Sequence, residues 1–151
     1  MLSAGEMAPK VSQGVTTVVA GNCGISLSPM PGGMKGMVPS PLDLLDNEGK
    51  WVRFPTFGAY VEELGAHPAA ANCALLVGHM TLRVATMDNL DRPATAAEIV
   101  RMRELVREAL SAGAIGFSTG RTDNHRTAEG RWTPSSESGV AELQGDRKSV
   151  V

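Results

Sequence analysis

Val15-Thr16-Thr17-Val18-Val19-Ala20 runs directly into Gly21-Asn22-Cys23-Gly24. The first six residues are β-branched almost throughout and lack a clean two-residue alternation. That is the pattern of a strand buried on both faces, as in a parallel sheet. The four residues after it form a tight polar turn, which sets Cys23 just past the carboxyl end of the strand. Two more stretches have the same form. Residues 73–79 read as a second buried strand running into Gly78-His79-Met80-Thr81, and residues 114–118 as a third running into Ser118-Thr119-Gly120-Arg121. There is no internal sequence repeat.

Helical signals fill the intervals. Ser3 followed by Glu6 forms a capping-box pattern, and Met7, Ala8 and Val11 share a face, so a helix is predicted over Leu2–Ser12, closed by Gly14. Phe57, Tyr60, Val61 and Leu64 follow the i, i+3, i+4, i+7 pattern, with Thr56 to cap the helix and Gly65 and Pro68 to stop it. Thr95 and Glu98 form a second capping box. The helix it opens buries Ile99, Met102, Val106, Ala109 and Leu110 and ends at Gly113. Residues 83–87 are expected to be extended, 88–93 to turn, and 133–137 to start another helix. Residues 25–55 are crowded with Pro, Gly and Met, which predicts a long irregular loop with a short helical turn near Leu42–Leu45. Helices and strands therefore alternate, the signature of α/β architecture with a parallel sheet. In such folds ligands bind outside the carboxyl ends of the strands. Cys23, His79, Ser118 and Thr119 converge on that rim by topology.

Composition narrows the class. A chain of 151 residues that is 42% hydrophobic and 20% charged fits one globular domain. A net charge of -2 argues against a nucleic-acid binder. No apolar run approaches the roughly 20 residues of a membrane span. Two cysteines are too few for a disulfide framework. With no secretory signal pattern, they are expected to be reduced thiols in a cytoplasmic protein.

Individual residues leave alternatives open. Cys23, on a strand-end turn, suits a metal ligand, a nucleophile or a small buried hydrophobe. Cys73 opens an apolar strand and reads as core. His79 could hydrogen-bond a substrate, bind metal, shuttle protons or serve the structure. Arg83 could bind a carboxylate bidentately or anchor a loop. His125, in the polar run Arg121-Thr122-Asp123-Asn124-His125-Arg126-Thr127, could line a substrate mouth or sit in a solvated loop. The H-x-H, H-E-x-x-H and Walker patterns are absent.

Lys10 to Val19 running into Gly21-Asn22-Cys23-Gly24-Ile25-Ser26 closely resembles the N-acyl-D-amino-acid deacylases of the metal-dependent amidohydrolase superfamily. Gly78-His79-Met80-Thr81-Leu82-Arg83 and Gly113-Ala114-Ile115-Gly116-Phe117-Ser118-Thr119-Gly120 resemble two further family segments, in the same order. The resemblance covers most of residues 5–137. It implies a (β/α)8 TIM barrel, of which this chain would hold about three strand–helix units. It also implies zinc at the carboxyl rim and hydrolysis of N-acyl-D-amino acids, small-molecule substrates, to a carboxylate and a D-amino acid. Cys23 matches the family's cysteine ligand. His79, Arg83, Ser118, Thr119 and His125 are expected on the substrate side.

The family's H-x-H would lie upstream of this chain, and its later histidine ligands and catalytic aspartate downstream of Val151. No catalytic residue is therefore expected here, and the chain is expected to be an inactive fragment. Residues 1–140 would be barrel, and 141–151 a non-native or disordered tail. Residues 121–127 depart from the family's Tyr-Pro-rich stretch, which suggests a subfamily with a different or undetermined acyl substrate. Two other readings are a non-catalytic α/β module whose rim binds a small ligand or partner, with Cys23 as a buried structural thiol, and a thiol enzyme pairing Cys23 with His79.

Overall fold

The computed structural model describes residues 5–31, 54–122 and 132–147. His125 and the expected turn at 42–45 lie outside them. The elements are α1 (Ala8–Val11), β1 (Thr17–Ala20), α2 (Phe57–Ala66), β2 (Asn72–Gly78), α3 (His79–Thr86), α4 (Ala96–Ser111), β3 (Gly116–Ser118) and α5 (Val140–Arg147). Single 3₁₀ turns occupy Asn22–Gly24 and Pro134–Glu137.

The three strands form one parallel sheet in the order β1-β2-β3. Thr17 pairs with Asn72 and Ala20 with Leu75. Leu76 pairs with Gly116 and Gly78 with Ser118. Parallel neighbours in sequence order require a crossover between each pair, and the helices supply it. The α/β class and parallel sheet expected from the alternation are present.

Local chemistry sets most boundaries. Thr56 caps α2, its hydroxyl accepting from the Ala59 amide at 3.1 Å. Thr95 and Glu98 form the expected reciprocal capping box on α4. The core lies where α2 and α4 meet the sheet: Phe57 and Tyr60 pack with Met102, Leu105, Val106 and Ala109 against Leu75 and Val77 of β2.

Four elements differ from expectation. α1 covers only Ala8–Val11, with Pro9 in its first turn. A proline deeper in a Leu2–Ser12 helix would remove a ladder hydrogen bond and clash with the preceding turn. β1 is half exposed, with Val19 at 49%, since α1 buries none of its residues and leaves one face uncovered. Residues 83–86 are helical rather than extended, and α3 starts at His79 itself. The last difference falls in the 141–151 stretch expected to be a tail. Its residues up to Arg147 belong to α5, which packs against α4 and buries Glu142. Among the described residues no helix is long and apolar enough to cross a membrane.

Candidate metal-ligand rim

The three strand-end turns meet at one end of the sheet, as topology predicts. Gly78 ends β2, and a Cβ there would collide with the Gly24 carbonyl group and lie 2.7 Å from the Ile25 nitrogen. A Cβ on Gly120 would sit 2.7 Å from the Cys23 carbonyl oxygen. Both glycines are thus required by close backbone approach, and the turns after β1, β2 and β3 touch backbone to backbone.

Cys23 sits in this junction with φ 58 and ψ 21, in the left-handed region, and it is exposed. A non-glycine residue held there costs on the order of 1–3 kcal/mol and persists only where its surroundings over-determine it. Those surroundings are visible. The Ser118 hydroxyl donates to the Gly21 carbonyl and accepts from the Gly24 amide at 3.1 Å. Ser118 therefore spans the turn that carries Cys23. Cys73 is half-buried among core residues, as expected.

His79 and Arg83 do not reach the rim surface. Both are fully buried, one turn apart on α3. His79 Nε2 lies 2.8 Å from Glu142 Oε1 and Nδ1 3.0 Å from Thr119 Oγ1. Both ring nitrogens are thereby engaged, and neither is left for a thiol–imidazole pair with Cys23. Arg83 Nη1 donates to both Glu142 oxygens, at 2.6 and 2.7 Å. Its Nη2 donates to the carbonyls of Leu90 at 3.2 Å and Arg92 at 2.6 Å. The Ala94 amide adds a third donor and a fourth hydrogen bond to Glu142, at 3.2 Å. Burial pushes the Glu142 carboxyl upward, but the hydrogen bonds and charges of His79 and Arg83 outweigh it and hold the group below the usual carboxylate range.

A second buried polar knot holds the chain beyond Cys23. The Ser26 amide donates to Thr81 Oγ1 at 2.9 Å, and that hydroxyl donates back to the Ser26 carbonyl at 2.8 Å. Ser26 Oγ accepts from the Gly78 amide at 3.0 Å. Sequence reasoning missed Glu142, Ser26 and Thr81. Hydroxyls and a carboxylate whose partners lie 52 to 63 residues away carry no local pattern. Beside Thr119 and Gly120, a groove lined by Arg121, Thr122, Trp132, Ser136 and Glu137 opens to solvent.

Among the described residues no group of three or more His, Cys, Asp or Glu side chains could hold a metal ion. Among the described residues Cys23 alone offers an exposed thiol donor at the rim. Its chemistry fits a single zinc ligand and not a complete site, since zinc takes about four donors.

No protein-family model matches the chain. It is 56% identical over 115 residues to a D-aminoacylase of Alcaligenes xylosoxydans xylosoxydans, covering 76% of this chain and 23% of that protein. It is 54% identical over 120 residues to an N-acyl-D-aspartate deacylase of the same organism, covering 80% and 23%. A crystal structure of D-aminoacylase, described as defining a novel subset of amidohydrolases, superimposes with a TM-score of 0.85 at 46% identity over 99% of this chain and 29% of that one. N-acyl-D-glutamate deacylase from Bordetella bronchiseptica, solved with zinc and a phosphonate inhibitor, gives 0.82 at 37% identity over 97% and 28%. The chain thus spans under a third of the length of the relatives it matches.

Proposed function

Because the chain is, by sequence and fold, a segment of the N-acyl-D-amino-acid deacylase family of amidohydrolases, we propose that it supplies one ligand to a zinc centre that cleaves N-acyl-D-amino acids. That ligand is the Cys23 thiolate. The remaining donors and the general base lie outside the described residues. The observation that carries this reading is the conformation of Cys23. It is exposed on the rim in a left-handed backbone that the neighbouring turns hold in place, at the position where the sequence resembles the family's cysteine ligand.

Zinc bound there would polarise the scissile carbonyl and acidify a bound water. This chain's own residues contribute placement. Ser118 bridges the two sides of the Cys23 turn, and Gly78 and Gly120 let the three turns close on one another. His79 and Arg83, expected on the substrate side, fit a supporting role better, since Glu142, Thr119 and loop carbonyls engage them. The groove at Arg121 and Trp132 is the better candidate for substrate contact. A cytoplasmic setting fits two cysteines that are both free.

Metal titration tests the reading. Cd²⁺ added to the chain should produce thiolate-to-metal absorption that Cys23→Ser abolishes and Cys73→Ser leaves intact. Affinity should be weak with one protein donor, and the chain alone should not turn over an N-acetyl-D-amino acid with added zinc. Equal Cd²⁺ absorption in Cys23→Ser and the parent would refute the assignment.

A further inference from the structure

We propose that His79 is a positioning residue for Cys23, acting through the hydroxyl of Thr119. The inference rests on the reading of Cys23 as the metal ligand, but it concerns geometry that exists without metal.

Three successive residues, starting with the last of β3, hold the Cys23 turn. Ser118 bridges Gly21 and Gly24, on either side of Cys23. Gly120 lies against the Cys23 carbonyl with no room for a side chain. Thr119 stands between them and is itself exposed, so packing does not fix it. Its hydroxyl instead meets His79 Nδ1 at 3.0 Å. The other end of the imidazole is anchored to Glu142 Oε1 at 2.8 Å, and Arg83 clamps that carboxylate through both oxygens. A fixed point in the buried interior is thereby connected, in two hydrogen bonds, to the segment that grips Cys23.

An ionised carboxylate only accepts, so Nε2 carries the hydrogen that faces Glu142. The Thr119 hydroxyl can donate or accept, so it pairs with Nδ1 whichever role the ring nitrogen takes. The imidazole thus holds Thr119 in one rotamer.

Thr119→Val keeps the shape and deletes the hydroxyl. Thr119→Ser restores it. The measurement is the alkylation rate of Cys23 by iodoacetamide in the full chain, resolved from Cys73 by peptide mass, alongside the urea midpoint. Thr119→Val should change the Cys23 rate by about threefold or more while the Cys73 rate and the midpoint stay put, and Thr119→Ser should return it to the parent value. An unchanged Cys23 rate would overturn the proposal. So would both cysteines shifting together with the midpoint, or loss of the fold in Thr119→Val, since each assigns the hydroxyl to general stability. The Cd²⁺ titration of Cys23→Ser separates the two claims, because its failure would remove the ligand reading and leave the alkylation result intact.

Discussion

Glu142→Ala should be among the most damaging single substitutions in the chain. Glu142 is 1% exposed and Arg83 fully buried. The carboxylate accepts from both Arg83 Nη1 contacts, from His79 and from the Ala94 amide. Removing it leaves the Arg83 charge in the interior with only the Leu90 and Arg92 carbonyls on Nη2. Breaking a buried ion pair by deleting one partner costs about 3–5 kcal/mol. Against a total stability of about 5–15 kcal/mol for a domain, that is a large share. With a urea slope of about 2 kcal/mol/M, the midpoint should fall by about 2 M.

The assay is urea unfolding followed by far-ultraviolet circular dichroism, with amide exchange resolved over residues 140–147. Exchange there should rise first, because Glu142 is the buried anchor of α5. Replacing both partners, as Arg83→Met with Glu142→Leu, should cost less than Glu142→Ala, since no unpaired charge remains. A loss under about 1 kcal/mol for Glu142→Ala would show that α5 does not dock through this carboxylate, and would refute the reasoning.

Two further outcomes are expected. Arg92, together with the Thr95 amide, lowers the Glu98 carboxyl from 4.5 to about 2, and Glu142 is also depressed. A folded-state value below the unfolded one gives stability that is complete above the unfolded value and lost as pH falls through the folded one. Urea midpoints should therefore hold above pH 4.5 and decline toward pH 2, less steeply in Glu98→Gln; a flat profile across that window would contradict the assignment. Gly78→Ala places a Cβ against the Gly24–Ile25 backbone and should cost about 1–3 kcal/mol or more by forcing the turns apart. A thermal melt equal to the parent's would show that the turns are not in contact.

The sequence alone determined whatever is decided within a few residues. The caps at Thr56 and Thr95, the apolar stripes of α2 and α4 and the three β-branched or apolar strands were all legible. These signals act over one helical turn or one strand length. The placement of Cys23 beyond β1 was legible for the same reason, and family resemblance then suggested its chemistry. Pro9 shortened the first helix by an equally local rule.

Only the tertiary structure decided what His79 and Arg83 face. As a sequence, residues 79–84 alternate polar and apolar side chains, and the stretch to Thr86 includes the β-branched Thr81, Val84 and Thr86, poor material for a helix. Packing overrode that preference, and it placed His79 and Arg83 one turn apart so that both reach Glu142. The carboxylate lies 63 residues from His79, in a stretch whose composition gave no sign of burial. A buried charge is tolerated only where opposite charge and hydrogen-bond donors surround it. Those partners come from α3 and from the loop before α4, so chain folding, not proximity in sequence, brings them together.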